Sequence, residues 1–303
     1  MKTIRSISEF HRLLSLPAPR HPQISVIRVE DIRFADDTIW GKFSLDFFCV
    51  SLKRGVQAKV KYGQQYYDYD TGVMTFVAPK QIQSLDVSHA EVIDPAMGPG
   101  YALVFHPDFL YKHPLAASIK NCGFFSYAVN EALHLSDREE SNIVEIFHKI
   151  DQEYEHIDRH THDIILSQID LLLNYSNRFY ERQFFTRKSA SHDVLSKMDD
   201  LLTAYFNNEA SLKQGPPTVE YLADQLNVST HYLSDMLRSL TGQNAQQHIH
   251  EKLIGKAKEY LAATTLSVAE IAYLLGFEYP QSFNKLFKKK TNSSPLQFRR
   301  SFN

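Results

Sequence analysis

Three histidines with the spacing of metal ligands lie in the segment EYEHIDRHTHD. His156 and His160 are four residues apart and His162 follows closely, so a helix through the segment would bring imidazoles onto one face, where they could hold Zn or Ni. Histidines in such a pattern more often form a solvated polar surface or bind metal adventitiously. We therefore predict no metal centre and no cofactor, and leave open whether this cluster binds a metal.

No other group of residues has the pattern of a catalytic site. The sequence contains no phosphate-binding loop, no G-x-S-x-G elbow and no G-x-G-x-x-G fingerprint, since the GPG at residues 98–100 has no third glycine after it. A catalytic cupin would show an H-x-H pair with a later carboxylate and histidine, whereas His89, His106 and His113 are dispersed. We predict that the protein is not an enzyme.

Four tyrosines are concentrated in one short segment, at Tyr62, Tyr66, Tyr67 and Tyr69. They could line a ligand pocket, because tyrosine combines an apolar ring with a hydroxyl. Tyrosine is also common in β-sheets, and we favour that interpretation. The effector-binding residues therefore stay unknown, as does the existence of an effector.

The elements that must position such residues differ between the two halves of the chain. From Ile24 to about Val104, the runs ISVIRV, WGKFSLDFFCVSLK, KVKYGQQYYDYD and VMTFVAP predict short strands of a sandwich or small barrel. After Pro107 the period changes to that of a helix, in which Ser136 and Glu139 form a capping box. The inward face of this helix is predicted to consist of Ile143, Ile146, Phe147 and Ile150.

A second helix is predicted in DIILSQIDLLLNYSNRFYERQF, where apolar residues recur at steps of four and three as a short heptad seam. The seam is either the contact of a homodimer or the core face of a helix packed on its own β domain. In the first case the dimerisation residues are Ile165, Ile169, Leu172 and Phe179. Linkers are predicted after this helix, at Thr186–His192 and at Asn207–Pro217.

Downstream of Pro217 the sequence repeats itself, because TVEYLADQLNVS matches SVAEIAYLLGFE at a constant offset. Each copy has the pattern of a helix-turn-helix, in which a small alanine allows the second helix to cross closely. Asn227 and Gly276 occupy the two turns, where the backbone is left-handed. Ser229 is expected to cap the helix that follows the first turn, and Pro280 to begin the helix that follows the second.

A single helix joins the two copies, since NAQQHIHEKLIGKAKEYLAATT has an apolar residue at every fourth position. About 19 residues at 1.5 Å each make it roughly 28 Å long. Successive major-groove faces on one side of B-DNA are ~34 Å apart, so the helix is a spacer of useful length. The alternative is an all-α bundle with no role at DNA.

The charge distribution favours a polyanionic partner for the C-terminal part. The chain has 33 Lys and Arg against 35 Asp and Glu, but residues 227–303 contain 10 basic and 5 acidic side chains. Cys49 and Cys122 are too few for a disulfide framework and fit a reducing compartment. We find no signal peptide and no run of about 18 apolar residues, so we expect a cytoplasmic protein with no membrane partner.

The segment SVAEIAYLLGFEYPQSFNKLFKKKTNSSPLQFRR resembles the second helix-turn-helix and signature tail of the AraC/XylS family of bacterial transcription regulators. Thr218–Gly242 is similar to the first helix-turn-helix of that family. The elements GF, SF, LFKK and SPxxFR stand in the family's order. The β-rich start followed by helices is similar, more loosely, to the family's cupin-like sensing and dimerisation module.

The resemblance implies an α+β fold in two domains. Residues 1–185 would form a cupin-like β-sandwich or barrel with appended helices, and residues 186–303 an all-α DNA-binding domain. Within the second domain we expect helix-turn-helix 1 at about 218–242, the linker helix at about 243–264 and helix-turn-helix 2 at about 267–291.

The resemblance also places the residues that contact DNA, on recognition helices at about Thr230–Thr241 and Pro280–Lys290. Glutamine and asparagine can bind adenine bidentately and lysine can donate to guanine. Phosphates would be positioned by Lys289, Lys290, Arg299 and the backbone amides near Ser229 and Gln281. The residues expected to face the bases are His231, Ser234, Asp235 and Arg238 in the first helix, and Gln281, Asn284, Lys285 and Lys288 in the second.

Three positions qualify this expectation. The family usually has arginine where Lys285 stands, and lysine does not read guanine bidentately. It usually has glycine where Asn292 stands, and asparagine also accepts a left-handed backbone. Asp235 could accept from cytosine but repels phosphate, so the first helix-turn-helix is expected to bind DNA weakly.

Together these features predict a sequence-specific DNA-binding transcription regulator whose N-terminal module senses an effector or dimerises. Its expected partners are double-stranded DNA, a second copy of the chain, RNA polymerase and a small-molecule effector if one exists. The alternative is a cupin-type enzyme or small-molecule carrier with a DNA-binding tail. The operator, and activation as opposed to repression, stay open.

Overall fold

The structure is a computed structural model that describes residues 1–34, 39–53, 60–62, 65–67, 72–83, 100–127, 131–186, 188–207 and 210–301. The chain divides into two compact units, Met1–Gln183 and Phe184–Asn303. β-sheets lie in the first unit and the second is helical, so the predicted mixture of α and β structure is confirmed. Among the helices in the described ranges, none combines the length and apolar character needed to cross a membrane.

The described strands of the first unit form two sheets and a hairpin. The larger sheet has the order β10-β7-β4-β9-β2 and is antiparallel throughout. The smaller sheet has the order β1-β3-β8, in which β1 and β3 are parallel, and β5 pairs with β6. Their bounds are β1 Lys2–Ile4, β2 Ile24–Arg28, β3 Phe43–Leu45, β4 Phe48–Lys53, β5 Val60–Tyr62, β6 Gln65–Tyr67, β7 Val73–Val77, β8 Ile82–Gln83, β9 Tyr101–Phe105 and β10 Leu133–His134.

Strand β9 is apolar on both faces because both of its faces are covered. In β9, Ala102 and Val104 point to one side and Leu103 and Phe105 to the other, and all four are buried. The first side packs on a cluster that includes Trp40, which meets the rings of Phe10, Phe34 and Phe43 edge-on. A strand buried on both sides reads as a continuous apolar run, as YALVF does.

Helices cover the sheets of the first unit. Helix α1 (Ile7–Leu13), which the sequence analysis did not predict, begins at the cap Ser6, whose side chain accepts from the Glu9 amide. Helix α2 spans Leu115–Ser118 and α3 spans Asp137–Glu153. The predicted capping box of Ser136 and Glu139 is present at α3, and the predicted inward residues Ile143, Ile146, Phe147 and Ile150 are all buried.

Helix α4 (Thr161–Thr186) is tied to the start of α3 by an arginine. Arg182 Nε lies 3.0 Å from Glu139 Oε1, and Arg182 Nη2 lies 2.7 Å from Oε2. The same Nη2 donates to the His134 carbonyl at 2.6 Å. Such a bidentate pair with a third acceptor fixes direction as well as distance, so α4 is held against α3 and β10.

The second unit contains α5 Lys188–Asn207, α6 Ala210–Gln214, α7 Val219–Leu226, α8 Thr230–Thr241, α9 Ala245–Ala263, α10 Val268–Leu274, α11 Pro280–Thr291 and α12 Pro295–Arg300. The two predicted linkers are corrected by this order. Helix α5 already begins at Lys188, within the predicted linker 186–192, and α6 lies within the predicted linker 207–217. Polar composition does not exclude a solvated helix, whereas the Gly-Pro-Pro at 215–217 follows the end of α6 and cannot continue it.

The two predicted helix-turn-helix units are α7 with α8 and α10 with α11, and α9 is the predicted long helix between them. The small residues Ala223 and Ala272 are buried at the helix crossings, as predicted. The core of the second pair contains Ile271, Leu275, Phe283 and Phe287, none of which is exposed. These repeat positions are therefore core residues, as the sequence indicates.

Candidate nucleic-acid interface

Helix α11 is positioned by a turn whose geometry follows directly from its residues. Ser267 and Glu270 form a capping box at the start of α10. Gly276 ends the turn after α10 with a φ of +87°, a conformation that favours glycine. Pro280 then occupies the first turn of α11, where its missing N–H is not needed.

The two faces of α11 differ completely in exposure. Phe283 and Phe287 are fully buried and fix the rotation of the helix about its axis. The opposite side carries the residues predicted to face the bases, and it exposes Gln281, Asn284, Lys285 and Lys288. Lys289 and Lys290, near the end of the helix, are exposed as well. Positions three, four and seven apart share one side of a helix, so amides and ammonium groups are presented together. This is the donor set that reads adenine and guanine in a major groove.

An open groove of about 440 Å³ runs along this side of α11. Asn284, Lys285 and Lys288 form one wall, while Pro295 and Leu296 of α12 contribute to the other. Leu296 is 49% exposed, so the groove joins an apolar strip to a basic one.

Helix α8 offers less to DNA than α11. Ser229 caps it by accepting from the Tyr232 amide, and Tyr232, Leu233, Met236 and Leu237 are buried. His231 and Arg238 are exposed, and Ser234 and Asp235 are half-buried. Arg238 Nη1 donates to Asp235 Oδ1 at 2.8 Å. The acid that the sequence marks as unfavourable for DNA therefore neutralises the arginine of the same face.

Arg299 is engaged inside the domain. Its Nε donates to the Leu261 carbonyl at 3.2 Å, near the end of α9, and its Nη2 is buried. The guanidinium therefore holds α12 against α9, and its role at phosphate stays a prediction. Arg300, which the sequence analysis did not select, is exposed next to it.

Helix α9 adds a histidine near the basic end of α11. Burial lowers the pKa of His250, and the positive charges of Lys290 and Lys289 lower it further. His250 is therefore neutral near pH 7 and lies close enough to both lysines to sense their charge. Its place on the linker helix gave no signal in the sequence, because the proximity to α11 depends on how the helices cross.

The predicted dimerisation residues lie in the core of the first unit. Ile165, Ile169 and Leu172 have no exposed surface and Phe179 is 5% exposed. They cannot meet a second copy while α4 stays packed as it is, which fits the alternative of a helix packed on its own domain. The exposed side of α4 carries Ile164 (39%) and Leu171 (41%) instead.

The histidine cluster does not share a helical face. His156 and His160 precede the start of α4 and His162 lies in its first turn, so the arrangement considered from spacing is corrected. His162 Nε2 is 2.9 Å from the Phe109 carbonyl, and His160 Nε2 accepts from Arg159. Across the described positions, no three His, Cys, Asp or Glu side chains converge as metal ligands would.

Two further groups from the sequence analysis are only partly described. Tyr62, Tyr66 and Tyr67 belong to strands β5 and β6, while Tyr69 and His89 lie outside the described residues. His106 Nδ1 accepts from the Asp108 amide and His113 Nδ1 from the Leu115 amide, both at 3.2 Å. These two histidines therefore cap local turns.

Comparison with known proteins matches residues 222–301 to a family described as a helix-turn-helix domain. AdaA of Bacillus subtilis, described as a bifunctional transcriptional activator/DNA repair enzyme, is 31% identical over 104 residues, which are 34% of this chain and 48% of AdaA. The transcriptional activator RhaS of Salmonella newport is 30% identical over 116 residues, 35% of this chain and 42% of RhaS. The chain thus spans less than half the length of these curated relatives.

Among solved structures, the C-terminal domain of the two-component response regulator yesN from Fusobacterium nucleatum is 32% identical to this chain. The match covers 33% of this chain and 96% of that domain, with a TM-score of 0.29.

Proposed function

We propose, from the premise that residues 222–301 are a helix-turn-helix domain of the AraC type, that the chain is a sequence-specific DNA-binding regulator of transcription. One observation carries the proposal. Helix α11 exposes Gln281, Asn284, Lys285 and Lys288 on one side, while its phenylalanines lock the opposite side into the core. A helix oriented in this way can enter a major groove with its readout residues forward.

The two recognition helices contribute unequally to DNA binding. Helix α11 supplies base readout through its amides and lysines, and Lys289 and Lys290 hold the phosphate backbone. Helix α8 contributes weaker contacts, because Asp235 neutralises Arg238. Helix α9, at about 28 Å, sets the separation needed for two successive major grooves.

The direct test is fluorescence anisotropy of the full chain on a DNA site selected from random sequence, with a scrambled duplex of equal length beside it. We expect at least about a thousandfold preference for the selected site, within the range of specific DNA-binding proteins. Log affinity should fall linearly with log salt, because phosphate contacts release counterions. Equal binding to both duplexes at every salt concentration would refute sequence specificity.

Two variants test the assignment of α11. Gln281→Ala and Lys285→Glu should each weaken binding to the selected site by about tenfold or more, since a good base contact contributes about 1–3 kcal/mol. Lys120→Glu makes the same charge change at an exposed position of the first unit and should leave affinity within about twofold. If Lys120→Glu weakens binding as much as Lys285→Glu, net charge rather than readout explains the loss.

For residues 1–185 we propose a cupin-like sensing and dimerisation module, and for 186–303 the DNA-binding domain. The support is an antiparallel sheet packed on both faces, which can transmit a change at one face to the other. An effector would act by population shift, favouring the arrangement that it binds better, and its effect cannot exceed that difference in affinity. A cavity of about 250 Å³ lies beside β2 and is lined by Arg20, Arg28, Asp151 and Tyr154 among others, and we propose it as a candidate effector site.

RNA polymerase remains a proposed partner of the chain.

We place the proposed homodimer contact on the exposed side of α4. Ile164 and Leu171 are seven residues apart, and apolar side chains at that spacing form a seam when two helices meet. Sedimentation equilibrium of the double variant Ile164→Glu/Leu171→Glu should show a monomer where the parent chain is a dimer. Asn174→Glu, an exposed polar position of the same helix, is the control and should stay dimeric. A dimer that survives the double variant would remove this face from consideration.

We propose no catalytic role for the chain. The match to AdaA covers about a third of the chain, and His106 and His113 are used in local turns. Metal analysis of untagged protein tests the alternative of a cupin-type enzyme. Stoichiometric iron, manganese or zinc would restore it.

A further inference from the structure

A short segment before the first helix-turn-helix is packed against the turn of the second. Ser211 of α6 is 2% exposed, and its hydroxyl donates to the Leu274 carbonyl at the end of α10, 2.8 Å away. Gly215, which follows α6, lies against Gly276. A Cβ on Gly276 would stand 2.5 Å from the Gly215 carbonyl carbon and 2.6 Å from the Ser211 backbone carbonyl oxygen, so only glycine fits.

The same segment is anchored to the first helix-turn-helix. Tyr205, in the last turn of α5, donates its hydroxyl to the Gly215 carbonyl at 2.9 Å. Its ring meets that of Tyr221 in α7 edge-on, with centroids 4.9 Å apart. Pro217 is buried and Thr218 caps α7 immediately afterwards. The chain from Gly215, which contacts Gly276, to the start of α7 is therefore short and held in place.

Helix α5 also contacts the second helix-turn-helix, through Phe206, the residue that follows Tyr205. Phe206 is buried in the cluster that contains Ile271, Phe283 and Phe287, which is the core beneath α11. Lys252 of α9 pairs with Asp199 of α5 at 2.7 Å. Tyr205 and Phe206, adjacent in the chain, therefore contact opposite helix-turn-helix units.

These contacts connect the two helix-turn-helix units to each other a second time, in addition to the connection through α9. If α9 were their sole connection, the two helix-turn-helix units could rotate relative to each other. A second connection restricts that rotation. We infer that Tyr205, Phe206, Ser211 and Gly215, here called the brace, fix the distance and rotation between α8 and α11 and so make the chain selective for the spacing of the two DNA elements. The brace residues are positioning residues that act through the recognition helices, and the inference rests on the proposed function.

The test measures tolerance to spacing on the full chain. A site selected by the parent chain is compared with versions that have one base pair inserted or deleted between the two contacted elements. One base pair shifts an element by about 3.4 Å and rotates it by roughly 35°. The parent chain should lose at least about tenfold in affinity on the altered spacings.

Gly276→Ala is the main variant and Gly242→Ala its matched control. Both glycines end a helix or turn at positive φ, +87° and +76°, so alanine is strained at either one. Only at Gly276 does the new Cβ meet the brace, because nothing lies within 4 Å of a Cβ at Gly242. Gly276→Ala should reduce the spacing penalty to about threefold or less, while Gly242→Ala keeps the parent penalty.

Two hydroxyl deletions, Ser211→Ala and Tyr205→Phe, give a milder test and decide the matter if Gly276→Ala does not fold by circular dichroism. Thr203→Val, which removes a hydroxyl bonded within α5, is their control. An unchanged spacing penalty in all folded brace variants overturns the inference. If the parent chain shows no preference for any selected site, it is the proposed function that fails.

Discussion

At the level of single residues, Asp235 and Arg238 lie one turn apart on α8, and Arg238 Nη1 donates to Asp235 Oδ1 at 2.8 Å. The pair is partly exposed and contributes little to stability, since surface pairs are worth about 0–1 kcal/mol. Under the proposed function its effect on DNA binding is larger, because it withdraws the one arginine of α8 from phosphate.

Asp235→Asn should therefore strengthen DNA binding, by about threefold to tenfold near 0.1 M salt. The slope of log affinity against log salt should become steeper by about 0.9, the value for one more phosphate contact. Asp200→Asn removes an equal charge from an exposed position of α5 and serves as the control. The explanation fails if both variants change affinity alike.

His11 provides a pH-dependent test in the first unit. The ring is nearly buried, with Nδ1 2.6 Å from the Pro17 carbonyl and Nε2 3.0 Å from Ser25 Oγ. Burial lowers the pKa of His11 below its usual 6.5, and the hydrogen bond to Pro17 opposes this only in part. The unfolded chain consequently binds the proton more readily than the folded one, so stability is complete above pH 6.5 and falls as the pH drops through that value.

Urea unfolding at pH 7.5 and 5.5 checks this expectation. The free energy of unfolding of the parent chain should decrease at pH 5.5, and His11→Asn should show a smaller decrease. His21, whose pKa burial also lowers, contributes to both proteins and cancels in the difference. An identical decrease in the two proteins would show that His11 is not responsible.

At the level of elements, two helices of the second unit end on asparagine with a left-handed backbone. Asn227 has φ +54° after α7 and Asn292 has φ +59° after α11. A β-branched residue is strongly disfavoured there, whereas glycine is not. Asn227→Val should lower the free energy of unfolding by about 1–2 kcal/mol, and Asn227→Gly should stay within about 0.5 kcal/mol of the parent. Urea unfolding measures both, and equal stability of the two variants would contradict the argument.

Elements fixed by neighbours in the chain could be predicted, and those fixed by distant contacts could not. The capping box at Ser136, the turn at Gly276 and the buried face of α11 each depend on residues within about one turn of each other. The hydroxyl of Ser211 bonds a carbonyl 63 residues away, so no local pattern announces it. The parallel pairing of β1 with β3 is hidden from the sequence for the same reason.

In the candidate site, too, features set by neighbouring residues could be predicted and those set by distant contacts could not. Periodicity places Gln281 and Lys285 on the outer side of α11, and the structure exposes both. Periodicity cannot say what covers an apolar stripe, so the seam through Ile165 and Leu172 fitted a dimer and a core equally well. Arg299 belongs to a family motif, yet the bond from its Nε to Leu261 appears only when α12 and α9 are brought together.

At the level of the whole molecule, charge is divided between the two units. Residues 1–183 contain 24 acidic and 19 basic side chains, and residues 184–303 contain 14 basic and 11 acidic ones. DNA therefore attracts the second unit and repels the first, an effect that reaches about 10 Å at 0.1 M salt.

The fragment 184–303 should bind a short non-specific duplex more tightly than the full chain, by severalfold at 0.05 M salt. The difference should vanish near 0.5 M salt, where charges are screened within a few ångströms. Anisotropy with a duplex too short for two copies keeps dimerisation out of the comparison. A difference that persists at high salt would have to come from contacts rather than from charge.

The close approach of Gly276 to Gly215 also constrains how the sequence can change over evolutionary time. A side chain at 276 is incompatible with the segment at 211–215 as it is placed, so position 276 cannot accept a larger residue unless that segment moves. Relatives that keep a segment of this length should keep glycine at 276, and relatives with a larger residue there should have shortened or rerouted the segment. A larger residue at 276 should thus be accompanied by a change in a segment about 61 residues earlier in the sequence.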